Sequence, residues 1–326
     1  MKHTILALVL SSVCSLALAQ SPSLPNVPAA KPLPPLVGVS WLKAHAAQVQ
    51  IVDVRDDVNT LTDDPVVRAI DGKKTLEKVG GYIPGSLSVN FWALRTKDFR
   101  LPSPRDFQAV MQASQVMNGK PIVIVPTGDD ATSLQEAALF AYELVYYGEP
   151  QNQVSILNGG VHAWIAAGGD VDEDAIAPMS SGNWTRKPLD AGVRAVAWQV
   201  QHAAQDRATL VDARPTGQFD GLSASPAVGH PGRIAAAVSL PPSLLYARDP
   251  RDGSWRFVAE RQDQASLAKA LGGSWATRPA IVYCNTGQFA AGAWYTMARI
   301  DGDHSVQAYP DGLHAWSELG LPLVVR

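Results

Sequence analysis

The chain has 326 residues, 46% of them apolar and 17% charged, an ordinary globular balance and enough length for two domains. A formal charge of −3, scattered basic residues and no run of five like charges exclude a nucleic-acid binder. No long uninterrupted apolar run of the kind that spans a bilayer occurs, so no membrane span is expected.

The chain opens on Lys2, a short apolar stretch over 5–13, and Ala17-Leu18-Ala19 before Gln20. That order predicts an export signal over 1–19 and an exported, periplasmic mature protein. A lipid-bearing terminus at Cys14 is disfavoured, because Ser11-Ser12-Val13 is a poor match for the small-residue site that processing needs. Loss of the signal leaves Cys284 as the one thiol. An unpaired cysteine in an exported chain suggests a reactive thiol or an intermolecular bridge, with a small buried apolar residue as the plain alternative.

Residues 20–35 are rich in proline and read as an extended tether. From Leu36 onward, β-rich runs at 50–54, 121–125 and 154–157 alternate with helical spacing over 134–147 (Leu134, Ala138, Tyr142 and Val145 on one side). Strands alternating with helices predict an α/β fold, a mostly parallel sheet flanked by helices. The second half repeats the first. Val39-Ser40-Trp41 is echoed by Val196-Ala197-Trp198, Asp53 with Arg55 by Asp212 with Arg214, and Gly160-Val161-His162-Ala163-Trp164 by Gly312-Leu313-His314-Ala315-Trp316. The domains expected are 36–175 and 193–326, with a linker over 176–192.

Near the end, Ala280-Ile281-Val282-Tyr283 has a buried-strand pattern and stops at Cys284. Asn285-Thr286-Gly287-Gln288 follows, then helical spacing from Phe289 to Arg299. A thiol between a strand tip and a helix start meets free backbone N–H groups and the positive end of a helix dipole, both of which favour a thiolate. The same N–H groups can hold an anionic oxygen or a terminal sulfur. No His/Cys spacing suits a metal, and no cofactor is expected.

With these motifs in order, the chain over 36–326 resembles the tandem rhodaneses, the thiosulfate and 3-mercaptopyruvate sulfurtransferase family. The resemblance rests on the paired Asp-x-Arg segments, Gly-Tyr-Ile-Pro-Gly at 81–85, the Cys-x-x-Gly loop at 284–287 and the closing Gly-x-x-x-Trp helices. It implies two rhodanese-like domains and a double displacement through a Cys284 persulfide. A small sulfur-containing anion would be the donor, and a thiol or cyanide the acceptor. Asn285, Thr286, Gly287, Gln288 and Phe289 would bind substrate, joined by His230 and Arg233 from the loop at 229–233. Aligning Thr127-Gly128 with Thr286-Gly287 sets Val125 opposite Cys284, so the first domain is expected to be inactive.

Departures from the family pattern bear on the donor. Asn285, Thr286 and Gln288 are neutral where thiosulfate-using relatives tend to be basic, and Gln218 stands where an arginine often follows the strand motif. An exported sulfur carrier or redox-binding module, loaded by a protein partner that the sequence does not name, is the alternative. A cysteine phosphatase needs an arginine six positions after the nucleophile, and Ala290 is there. Buried ion pairs are expected for Asp53–Arg55 and Asp212–Arg214, packing or helix-start hydrogen bonding for His162 and His314, and core packing for Trp164 and Trp316.

Overall fold

A computed structural model describes residues 31–70, 73–176, 180–258 and 278–325. The expected export signal and most of the tether lie outside the described residues. The first half contributes β1 (Leu36–Val37), α1 (Val39–His45), β2 (Gln50–Arg55), the antiparallel hairpin β3 (Val66–Ile70) and β4 (Lys73–Lys78), and β5 (Leu87–Asn90). It continues with α2 (Pro104–Ala113), β6 (Ile122–Val125), α3 (Ala131–Tyr146), β7 (Val154–Leu157) and α4 (Gly160–Ala166). The sheet runs β1-β7-β6-β2-β5 with every neighbour parallel. Every residue of β2, β6 and β7 is buried. This explains why these strands are apolar without alternating, apart from Gln50, Asp53, Arg55 and Ser155: a parallel sheet covered on both faces has no wet side to alternate toward.

The second half repeats the plan with α5 (Ala197–His202), β8 (Thr209–Asp212), α6 (Thr216–Phe219), β9 (Val238–Ser239) and the hairpin β10 (Tyr246–Arg248) and β11 (Trp255–Phe257). Then come β12 (Ala280–Tyr283), α7 (Gln288–Trp294), which widens into a looser turn over Tyr295–Ile300, β13 (Val306–Tyr309) and α8 (Gly312–Glu318). Its sheet is also parallel, in the order β13-β12-β8-β9. Arg194 makes a single parallel bridge to Ala308, where the first sheet has β1.

Helical spacing alone gave α3 one apolar side, but the structure buries every residue of it from Ser133 to Tyr146. The second domain covers the face that the first sheet leaves free, and α3 packs against α7. One apolar core therefore runs through both halves, from Val52 and Phe140 to Val282, Trp294 and Met297. The linker is not a loose tether either. Gly182 N–H donates to Gln112 O at 2.8 Å, and the fully buried Trp184 donates from Nε1 to Glu149 Oε1 at 2.8 Å.

Candidate active site

In the second sheet the chain leaves β8 toward β9 on one side and returns to β12 and β13 on the other. The crevice beyond the carboxyl ends of β8 and β12 lies at that reversal, where open parallel sheets bind ligands. Cys284 follows β12 there, Asp212 ends β8, and Arg214 and Gln218 follow it. The Cys284 side chain is 1% exposed. Its Sγ accepts a hydrogen bond from the Gly287 N–H at 3.1 Å. Burial pushes the thiol above its ordinary range, while the backbone amides of Ala290, Thr286, Gly287 and Phe289 pull it back down.

Two glycines let the loop close this tightly. Gly287 caps α7 at φ 97°, and a Cβ there would sit 2.4 Å from Pro310 O. Gly312, at φ 60°, lies against the backbone of Asn285 and Cys284. This approach lets Leu313 N–H reach Cys284 O at 2.8 Å and His314 N–H reach Asn285 O at 2.9 Å. The loop is therefore held from the β13–α8 turn as well as by α7.

The first domain repeats these contacts one residue out of step with the sequence alignment. Tyr283 pairs with Asp212, and Val125 pairs with Asp53, the equivalent aspartate. Val161 N–H reaches Pro126 O as Leu313 N–H reaches Cys284 O. Pro126, not Val125, is thus the counterpart of Cys284. The cause is a loop one residue longer, capped at Asp130 where the second domain caps at Gly287. Pro126 has neither a nucleophile nor an N–H.

The expected site residues divide into two groups. Asn285 is 7% exposed and donates from Nδ2 to Gln218 Oε1 at 2.8 Å, a neutral pair beside the thiol. Thr286 and Gly287 carry the loop, and Gln288 and Phe289 form the half-buried first turn of α7. The other two expected residues have surroundings of their own. His230 is exposed on its loop. Arg233 donates from Nη1 to Phe219 O at 3.1 Å and lays its guanidinium 4.5 Å over the Phe219 ring.

Sequence reasoning missed Arg95. It comes from the first domain, just after the single helical turn Phe91–Leu94, and donates from Nη2 to the carbonyl oxygens of Thr286 and Phe99. No motif marks it, and 191 residues separate it from Thr286.

The remaining motif residues are held in hydrogen bonds of their own. Arg55 and Arg214 each grip their aspartate with two nitrogens and donate to a glycine carbonyl, Gly81 O at 3.1 Å and Gly232 O at 2.8 Å. His162 Nδ1 lies 2.8 Å from Asp129 Oδ1 and His314 Nδ1 lies 2.7 Å from Ala227 O. Trp164 and Trp316 donate to Asp170 O and Pro322 O.

Comparison with known proteins agrees with this architecture. The rhodanese-like domain family matches twice, over residues 39–167 and 195–319. The chain belongs to that family. It is 27% identical over 299 residues to a thiosulfate sulfurtransferase of Corynebacterium glutamicum, covering 87% of each chain. It is 25% identical over 197 residues to the thiosulfate sulfurtransferase of Gallus gallus, covering 58% of this chain and 66% of that one. Among solved structures, the anaerobic ergothioneine biosynthesis enzyme of Chlorobium limicola superposes with a TM-score of 0.70 at 17% identity, over 89% of this chain and 69% of that one. At that identity the likeness speaks to the fold.

Proposed function

We propose that this rhodanese-family chain is an exported sulfurtransferase, in which Cys284 takes a sulfane sulfur from a small anionic donor such as thiosulfate and passes it to a thiol or cyanide. The observation that carries the reading is the Gly287 N–H on Cys284 Sγ at 3.1 Å, within a loop whose other amides also face the sulfur. The Cys284 thiolate attacks the outer sulfur of the donor. The donor's S–S bond breaks and sulfite leaves with the bonding pair, so the enzyme holds a persulfide. An acceptor thiolate or cyanide then attacks the terminal sulfur and returns Cys284 as thiolate. The thiolate carries its negative charge on Sγ and the persulfide on the terminal sulfur one S–S bond farther out, and fixed loop amides at that spot stabilise the charge without reorganising.

One observation favours a second reading, a carrier loaded by a protein. The Asn285–Gln218 pair adds no positive charge beside the thiol. Sulfite release separates the two. With millimolar thiosulfate and cyanide, the enzyme reading predicts continuous release of sulfite that Cys284→Ala abolishes. Release that stops after one equivalent, or does not begin, supports the carrier.

A further inference from the structure

The loop has no basic side chain of its own, yet a cation from the other domain is in contact with it. Arg95 Nη2 donates to Thr286 O, and Gly287 N–H donates to Cys284 Sγ. The carbonyl and that N–H belong to one peptide unit, planar and trans, so they point in opposite directions. A guanidinium on the oxygen holds the unit with its N–H toward the sulfur and polarises it. Gly287 is at φ 97°, in the left-handed region where glycine sets no preference for the orientation of the preceding peptide.

Four titratable groups face Arg95: Glu143, Cys284 itself, Asp311 and Tyr147. Glu143 of α3 faces it from the first domain, but burial pushes that carboxyl well above the carboxylate range. Both Glu143 oxygens lack a hydrogen-bond partner among the described residues. Asp311 faces it from the second domain but is held by Arg194 at 3.0 Å and lies 3.7 Å from Arg100. Tyr147 also faces it and donates its hydroxyl to Pro102 O. Arg95 Nη1 has no partner among the described residues. Burial disfavours the charge on Arg95, but an arginine stays protonated.

We infer that Arg95 of the catalytically empty first domain is a positioning residue for the nucleophile: it fixes the Thr286–Gly287 peptide so that its N–H stabilises the anionic sulfur of Cys284. The inactive domain thereby completes the active site of its neighbour. This rests on Cys284 being the nucleophile, and it is tested apart from sulfur transfer.

The experiment is the pH profile of Cys284 alkylation by iodoacetamide on the full chain, with no sulfur donor present. Arg95→Met is expected to raise the midpoint by about one unit, a roughly tenfold slower alkylation at neutral pH. Arg95→Lys, which keeps the charge, recovers part of the shift. Arg100→Met serves as the control, because Arg100 bridges the domains to Glu318 at 2.5 Å and has no hydrogen bond or ion pair to the loop among the described residues. Its midpoint stays at the wild-type value. Arg95→Gln gives the same reading should the methionine variant fail to fold. An unchanged midpoint in a folded, charge-free Arg95 variant overturns the inference. So does an equal shift in Arg100→Met, which would show general loosening of the domain seam. A wild type that never takes up sulfur contradicts the proposed function and leaves this result standing.

Discussion

At the scale of the residue, Cys284 is governed by two opposed effects. Burial disfavours the thiolate, and the loop amides favour it. Burial is the larger of the two, so the thiol is raised above its ordinary range. The sign of the pH dependence follows. Raising the pH toward the thiol's shifted value increases the thiolate fraction, so second-order sulfur uptake should rise about tenfold per unit until it levels off. Stopped-flow uptake measured from pH 6 to 10 checks this; a rate flat across that range would mean the thiolate is already formed. Cys284 was legible in the sequence because a strand, a glycine turn and a helix announce it locally. Arg95 was not, because its role exists only once two domains are packed together.

At the scale of the element, each domain ties a buried strand end to the loop that precedes its next strand. Arg214 does this in the second domain, bonding Asp212 Oδ2 at 2.6 Å and Gly232 O at 2.8 Å with both side chains almost fully buried. Removing the arginine strands a buried carboxylate and frees a carbonyl. Arg214→Met is therefore expected to cost about 3–5 kcal/mol, measured by urea unfolding. A loss under about 1 kcal/mol would mean the pair contributes nothing beyond a hydrophobic replacement. Four strands, β2, β6, β7 and β12, were read to within a residue at their ends from their β-rich runs, while the short strands β1, β5, β9 and β13 were not read. The hairpins β3–β4 and β10–β11 went unread. The first carries Lys73, Lys74, Glu77 and Lys78, and this charge hides its pairing. The alignment slip at Pro126 has an equally local cause, one extra residue before the Asp130 cap.

At the scale of the whole molecule, one sequence repeat has diverged into two roles. The second domain keeps the cysteine. The first has Pro126 in its place, lends α3 to a shared core and reaches over the loop with Arg95. The repeat was visible in the sequence, but the way its copies lean on each other was not, since α3 reads there as a helix with one apolar side. The proposed division of roles predicts one sulfur-loading site per chain, although the chain has two family domains. Intact-mass measurement of the purified protein after thiosulfate, and separately after 3-mercaptopyruvate, tests it most directly. A gain of one sulfur atom per chain with either donor, absent in Cys284→Ala, is the predicted result. No gain with either donor, or a gain that survives Cys284→Ala, would contradict the account.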